Sequence, residues 1–178
     1  MLNKTAIALC AVLTVLSANA QLESDSALTS IYYGRFKLEI PTASLANAKI
    51  FSVDGPAIKF SDPLTLGGTL VTREVLQLPA DFNLALYPRY IFGLEPTDRL
   101  PEDLQKQLSS ALRSFGIAED AAIRETPYEE GKIYSACAHT ACLFFATQHA
   151  QDDHLLMLFP EGFTHKEILH LMGVANAE

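Results

Sequence analysis

In GRFKLEIP the apolar and polar positions alternate: Phe36, Leu38 and Ile40 fall on one face, Arg35, Lys37 and Glu39 on the other. That period of two predicts a half-buried strand stopped by Pro41. KIFSV and AIKF flank Asp54-Gly55-Pro56, a turn signal that predicts a hairpin or tight reversal. GGTLVTREVLQL reads as a longer strand with β-branched residues, its Gly67-Gly68 pair set between strands as a turn. Ala80 to Thr97, aromatic and apolar with Pro88 and Pro96 inside it, fits neither period.

The period changes from Pro101 to Phe115, where Leu104, Leu108, Ala111, Leu112 and Phe115 make one helical stripe. Pro101 suits a first turn, Glu102 and Asp103 suit the positive end of the dipole, and Gly116 can end the helix. AEDAAIRETPYEEG reads as irregular and leads into a cysteine-bearing hairpin. DDHLLMLFP then predicts a strand entered through a turn at Ala150 to Asp153. A second helix should open at Thr164, which forms a capping box with Glu167, with Phe163 and Ile168 as the hydrophobic staple and Gly173 as the stop. Runs of strands separated by single helices predict an α+β fold: one domain with a mostly antiparallel sheet and two main helices packed on it.

The first twenty residues stand apart. Lys4 precedes an apolar run from Ala6 to Leu16, broken only by Thr14, and Ala18-Asn19-Ala20 is a small-x-small cleavage pattern. This predicts a signal peptide over 1–20 and an exported domain over 21–178, periplasmic or secreted. The run is shorter than the roughly 20 residues a membrane-spanning helix needs, and no later segment is longer, so no transmembrane segment is expected. Cys10 lies inside the run behind Leu9, the wrong place for a lipid-bearing cysteine. Removing Lys4 leaves 12 basic residues against 21 acidic ones, a net charge of −9. Nucleic acid and anionic membrane call for clustered Lys and Arg, so neither is an expected partner.

Cleavage leaves Cys137 and Cys142 in an oxidising compartment. In KIYSACAHTACLFF, a two-residue turn at His139-Thr140 sets Ala138 opposite Ala141 and Cys137 opposite Cys142, about 4.5 Å apart at Cα. A four-residue loop from Ala138 to Ala141 also brings the cysteines together, since His-Thr is not a favoured hairpin dipeptide. Either arrangement predicts a disulfide. The alternative is a metal or catalytic site at Cys137, His139 and Cys142, which would supply soft ligands close together. The second ligand pair of a structural zinc site is missing, and no cofactor is expected.

Other candidate chemistry is sparse. His165 and His170 resemble a zincin pair but are five apart, which on a helix separates them by about 140°. Glu129-Glu130 and Asp152-Asp153 are acid pairs in turn-flanking segments that solvation explains. Ser135 or Thr140 could be drawn with His139 as nucleophile and base, a proximity in sequence only. There is no nucleophile elbow, phosphate loop or dinucleotide fingerprint.

YGRFKLEIP, Tyr33 to Pro41, resembles the opening of periplasmic immunity proteins that neutralise lipase toxins of type VI secretion, and is similar to the first strand of PsbP-like α/β domains. The resemblance covers nine residues and carries no residue role; the tryptophan that often follows in PsbP-like proteins is absent from a chain with none. It implies a toxin-neutralising or assembly role. The expected function is a non-catalytic binding or accessory protein of the cell envelope, with a protein partner. Tyr32, Tyr33, Tyr87, Tyr90 and Tyr128 are candidates for an aromatic binding patch.

Overall fold

A computed structural model describes residues 27–52, 55–118, 120–138, 141–149 and 153–174. The segment 1–26, which holds the expected signal peptide and Cys10, lies outside the described residues.

Nine strands are described: β1 Leu28–Tyr33, β2 Phe36–Pro41, β3 Lys49–Ser52, β4 Pro56–Lys59, β5 Thr65–Thr72, β6 Ala122–Tyr128, β7 Gly131–Ala138, β8 Ala141–Ala146 and β9 His154–Glu161. The helices are α1 Thr42–Leu45, α2 Tyr87–Ile91, preceded by a 3-10 turn at Leu84–Leu86, α3 Glu102–Ser114 and α4 His165–Leu171. β1 and β2 form a hairpin of their own. The other seven make one antiparallel sheet in the order β3-β4-β5-β9-β8-β7-β6.

This corrects the α+β expectation. About 40% of the described residues are strand and 23% helix, so the fold is strand-dominated with small helices rather than a sheet carrying two main helices. Two misreadings explain the gap. AEDAAIRETPYEEG contains β6, whose charges and Pro127 disguise it. An edge strand tolerates both, because its outer side has no ladder to break. Gly67 and Gly68 lie within β5, paired with Phe159 and Leu158, not in a turn.

Alternation along the strands divides the core between the two faces of the sheet. Ile133, Phe144, Leu156, Leu158, Leu66 and Ile58 meet the β1–β2 hairpin and α4 on one face. Phe36, Leu38 and Ile40 of β2 are fully buried there, as their alternation predicts. Each such side chain contributes about 1.5–3 kcal/mol relative to exposure. On the other face Tyr134, Leu143, Phe145, Leu155, Met157 and Val71 meet the 79–92 segment and α3. α3 turns Leu104, Leu108 and Ala111 inward. α4 starts at the capping box of Thr164 and Glu167 read from sequence.

Candidate functional site

β7 and β8 pair so that Cys137 faces Cys142 and Ala138 faces Ala141, the register of a two-residue turn. The cysteines are a disulfide-distance pair, with sulfurs 2.16 Å and Cα atoms 4.1 Å apart. His139 and Thr140 lie outside the described residues. Among the described residues no group of three or more His, Cys, Asp or Glu is placed to hold a metal. The ladder already holds this hairpin, and a crosslink closing so short a loop adds about 2 kcal/mol. Cys137→Ala and Cys142→Ala should therefore each lower unfolding stability by about that amount, equally and without further loss in the double variant. Urea denaturation of the three variants checks this.

Two residues along β7 from Cys137, Ser135 meets a different histidine from the one nearest in sequence. Ser135, at 1% exposure, bonds His165 Nε2 through its hydroxyl at 2.9 Å. The capping box fixes the start of α4 and so aims His165, its first residue, at the sheet, where the ring stacks on Phe144 at 5.5 Å. Ser135 is sealed from solvent, so an acyl-transfer nucleophile at this position has no approach. Burial, and then the nearby Arg124, push the His165 pKa below its ordinary 6.5. The unfolded chain thus binds the proton more readily. Stability from this group is complete above pH 6.5 and is lost as pH falls below it. Replacing His165 with glutamine should flatten that part of a stability–pH curve between pH 7.5 and 5; identical curves would contradict the assignment. His170 is exposed.

A polar cluster gathers where three hairpin ends meet. Gln148 Nε2 donates to Glu129 Oε2 at 2.7 Å and reaches the Arg35 carbonyl at 3.4 Å. His149 meets Glu130 at 3.0 Å, and Asp153 meets His154 at 2.6 Å and Arg35 at 3.9 Å. The His154 bond holds the Asp153 carboxyl below its usual range. Asp152 lies outside the described residues. Buried Gln148 ties these turns together, a structural use of residues that read as solvated tips.

The tyrosines do not form one patch. Tyr33, Tyr87 and Tyr128 are buried, and burial pushes Tyr87 and Tyr128 up to about 12. Tyr32 is exposed on the hairpin, while Tyr90 packs against Phe82.

The open apolar surface lies elsewhere. α3 ends beside β9, where Phe115 meets Phe159 at 5.9 Å; the cluster on that face takes in Val71 of β5 but no residue of β4 or β3. Strand register sets Phe51, Ala57, Gly67 and Phe159 in one row across the sheet. They line a hollow of about 210 Å³ with an aromatic wall at each end and a floor of small residues. The neighbouring glycines differ in cause. A Cβ on Gly68 would meet Leu158 at 2.7 Å and the Tyr33 ring at 3.0 Å, so a larger residue there has to displace core side chains. A Cβ on Gly67 meets nothing closer than 3.7 Å. Among the described residues nothing crowds this position, and glycine inside a strand is one way to leave room for close approach from outside. Sequence reading missed the site because a glycine pair reads first as a turn.

Comparison with known proteins finds no family model, curated protein or solved structure that matches the chain.

Proposed function

We propose that the mature domain is an exported, non-catalytic binding protein of the cell envelope whose partner is a protein seated at the β3 side of the sheet. The observation that carries this reading is the shelf of Phe51, Ala57, Gly67 and Phe159, with Ile50 at 73% exposure on the opposite face of the same edge strand. Aromatic side chains around a small concave floor are the usual anchors of a protein interface. The disulfide-distance cysteine pair suits export to the periplasm or beyond. Among the described residues no helix is long and apolar enough to cross a membrane. Neutralising a toxin, the role implied by the Tyr33–Pro41 stretch, is one accessory function of this kind.

A photoreactive phenylalanine analogue at position 51 should crosslink in intact cells to one discrete protein. The same analogue at Val75, an exposed residue outside the shelf, should not. Matching patterns from the two positions, or no adduct from 51, would count against the reading.

A further inference from the structure

The two edges of the seven-stranded sheet are built differently. β6 places Arg124, Glu125 and Pro127 within seven residues, and Glu125 is paired with Lys132. Charges and proline are the usual means of keeping a foreign strand off an edge. β3, at the other edge, has all four residues exposed, and two of them are large and apolar: Ile50 at 73% and Phe51 at 42%. Among the described residues no strand pairs with the outer side of β3, and an open edge with apolar side chains on both faces is a template for another strand.

Lys49 narrows the choice of strand. It shares the shelf face with Phe51, and its cross-strand neighbour on β4 is Lys59. Like charges directly opposite one another destabilise a ladder. Asp62 takes Lys59 at 2.5 Å from a loop position and is only a longer-range influence on Lys49. On the outer side of Lys49, a strand added to the edge would place its own residue directly opposite. Lys59 is already paired with Asp62 and lies near Glu161, so Lys49 is the cation at this edge that has no ion pair among the described residues.

Building on the binding role proposed above, we infer that β3 captures an extended segment of the partner protein as an eighth, antiparallel strand bearing an acidic residue opposite Lys49 and large apolar residues opposite Ile50 and Phe51. The segment therefore reads apolar-apolar-acid along its own direction. Antiparallel addition continues the pattern of every pairing in this sheet. The residue opposite Phe51 extends the row that ends at Phe159, and the acid gives Lys49 an ion-pair partner, which Lys59 already has in Asp62. Lys49 also makes the edge selective, because it disfavours a strand with a basic residue at that position.

The test uses the full mature protein and a ten-residue, threonine-rich peptide with Phe-Ile-Glu at its centre, followed by fluorescence anisotropy. The peptide should bind. Methylating the alternate backbone nitrogens that face β3 should weaken it by roughly tenfold or more, whereas methylating the other set should not. Lys49→Glu should weaken the Phe-Ile-Glu peptide by about two- to fivefold and strengthen a Phe-Ile-Lys peptide to match. Lys49 is exposed, so the variant keeps the fold. No binding, or equal loss from both methylation patterns, would overturn strand addition. Self-association in sedimentation that disappears in Ile50→Lys would overturn it in favour of a second copy of the chain. Crosslinking from position 51 that persists while every peptide fails would remove this inference and leave the binding role standing; loss of both would remove the role itself.

Discussion

Phe145→Ala should lower unfolding stability by about 3–5 kcal/mol. Phe145 is completely buried at the centre of the sheet. Its ring meets Tyr87 at 5.7 Å, Phe92 at 5.9 Å and Phe115 at 6.2 Å. One side chain thus anchors two segments: α2, through Tyr87 and its C-cap Phe92, and the end of α3, through Phe115. Their layer is held mainly by such contacts, since α2 is only five residues long and cannot be stable alone. The cavity left by alanine is walled by rings attached to different elements, which cannot all close on it. Urea denaturation gives the magnitude, and near-ultraviolet circular dichroism reports whether the aromatic layer has loosened. A loss below about 1 kcal/mol would mean that the layer is held by something else.

Gly131→Ala should cost about 3 kcal/mol, at the upper end of the range for forcing extra volume into packed structure. The added Cβ would lie 2.3 Å from the Thr147 carbonyl oxygen and 2.6 Å from its carbon. That backbone cannot yield easily. Thr147 N–H donates to the Lys132 carbonyl at 2.9 Å, and its hydroxyl accepts from Lys132 N–H at 2.9 Å. A shift at Thr147 would disturb the β7–β8 ladder that carries the cysteine pair. Gly67→Ala is the matched control, because its Cβ has ordinary clearance and should change stability by less than about 0.5 kcal/mol. Equal effects at the two glycines, measured by denaturation midpoints, would refute the distinction between them.

That distinction also shows where the sequence was readable. Phe36, Leu38 and Ile40 alternate over a half-buried strand, and the structure buries all three. The Leu104, Leu108 and Ala111 stripe and the Thr164–Glu167 box gave their helices to within a residue or two, because helix period and capping are local signals. The Cys137–Cys142 register was legible because a hairpin's pairing follows from its turn length. β6 was not, since an edge strand needs an apolar pattern on one side only and carries proline without penalty. The Ser135–His165 contact was hidden for a different reason: 30 residues separate the two, and β8 and β9 lie between them along the chain. Distance in sequence pointed instead to His139. The shelf was the least visible feature. Phe51, Ala57, Gly67 and Phe159 come from four strands, and only the sheet order sets them in a row.

The binding role is tested most directly by the yield of the position-51 crosslink in cells, measured with and without Gly67→Val. Valine fills the floor of the hollow, suits a strand, and leaves the ladder intact. The Gly67→Val variant should fold at least as stably as the parent and lose the adduct. An adduct formed in undiminished yield over a filled shelf would contradict the binding role.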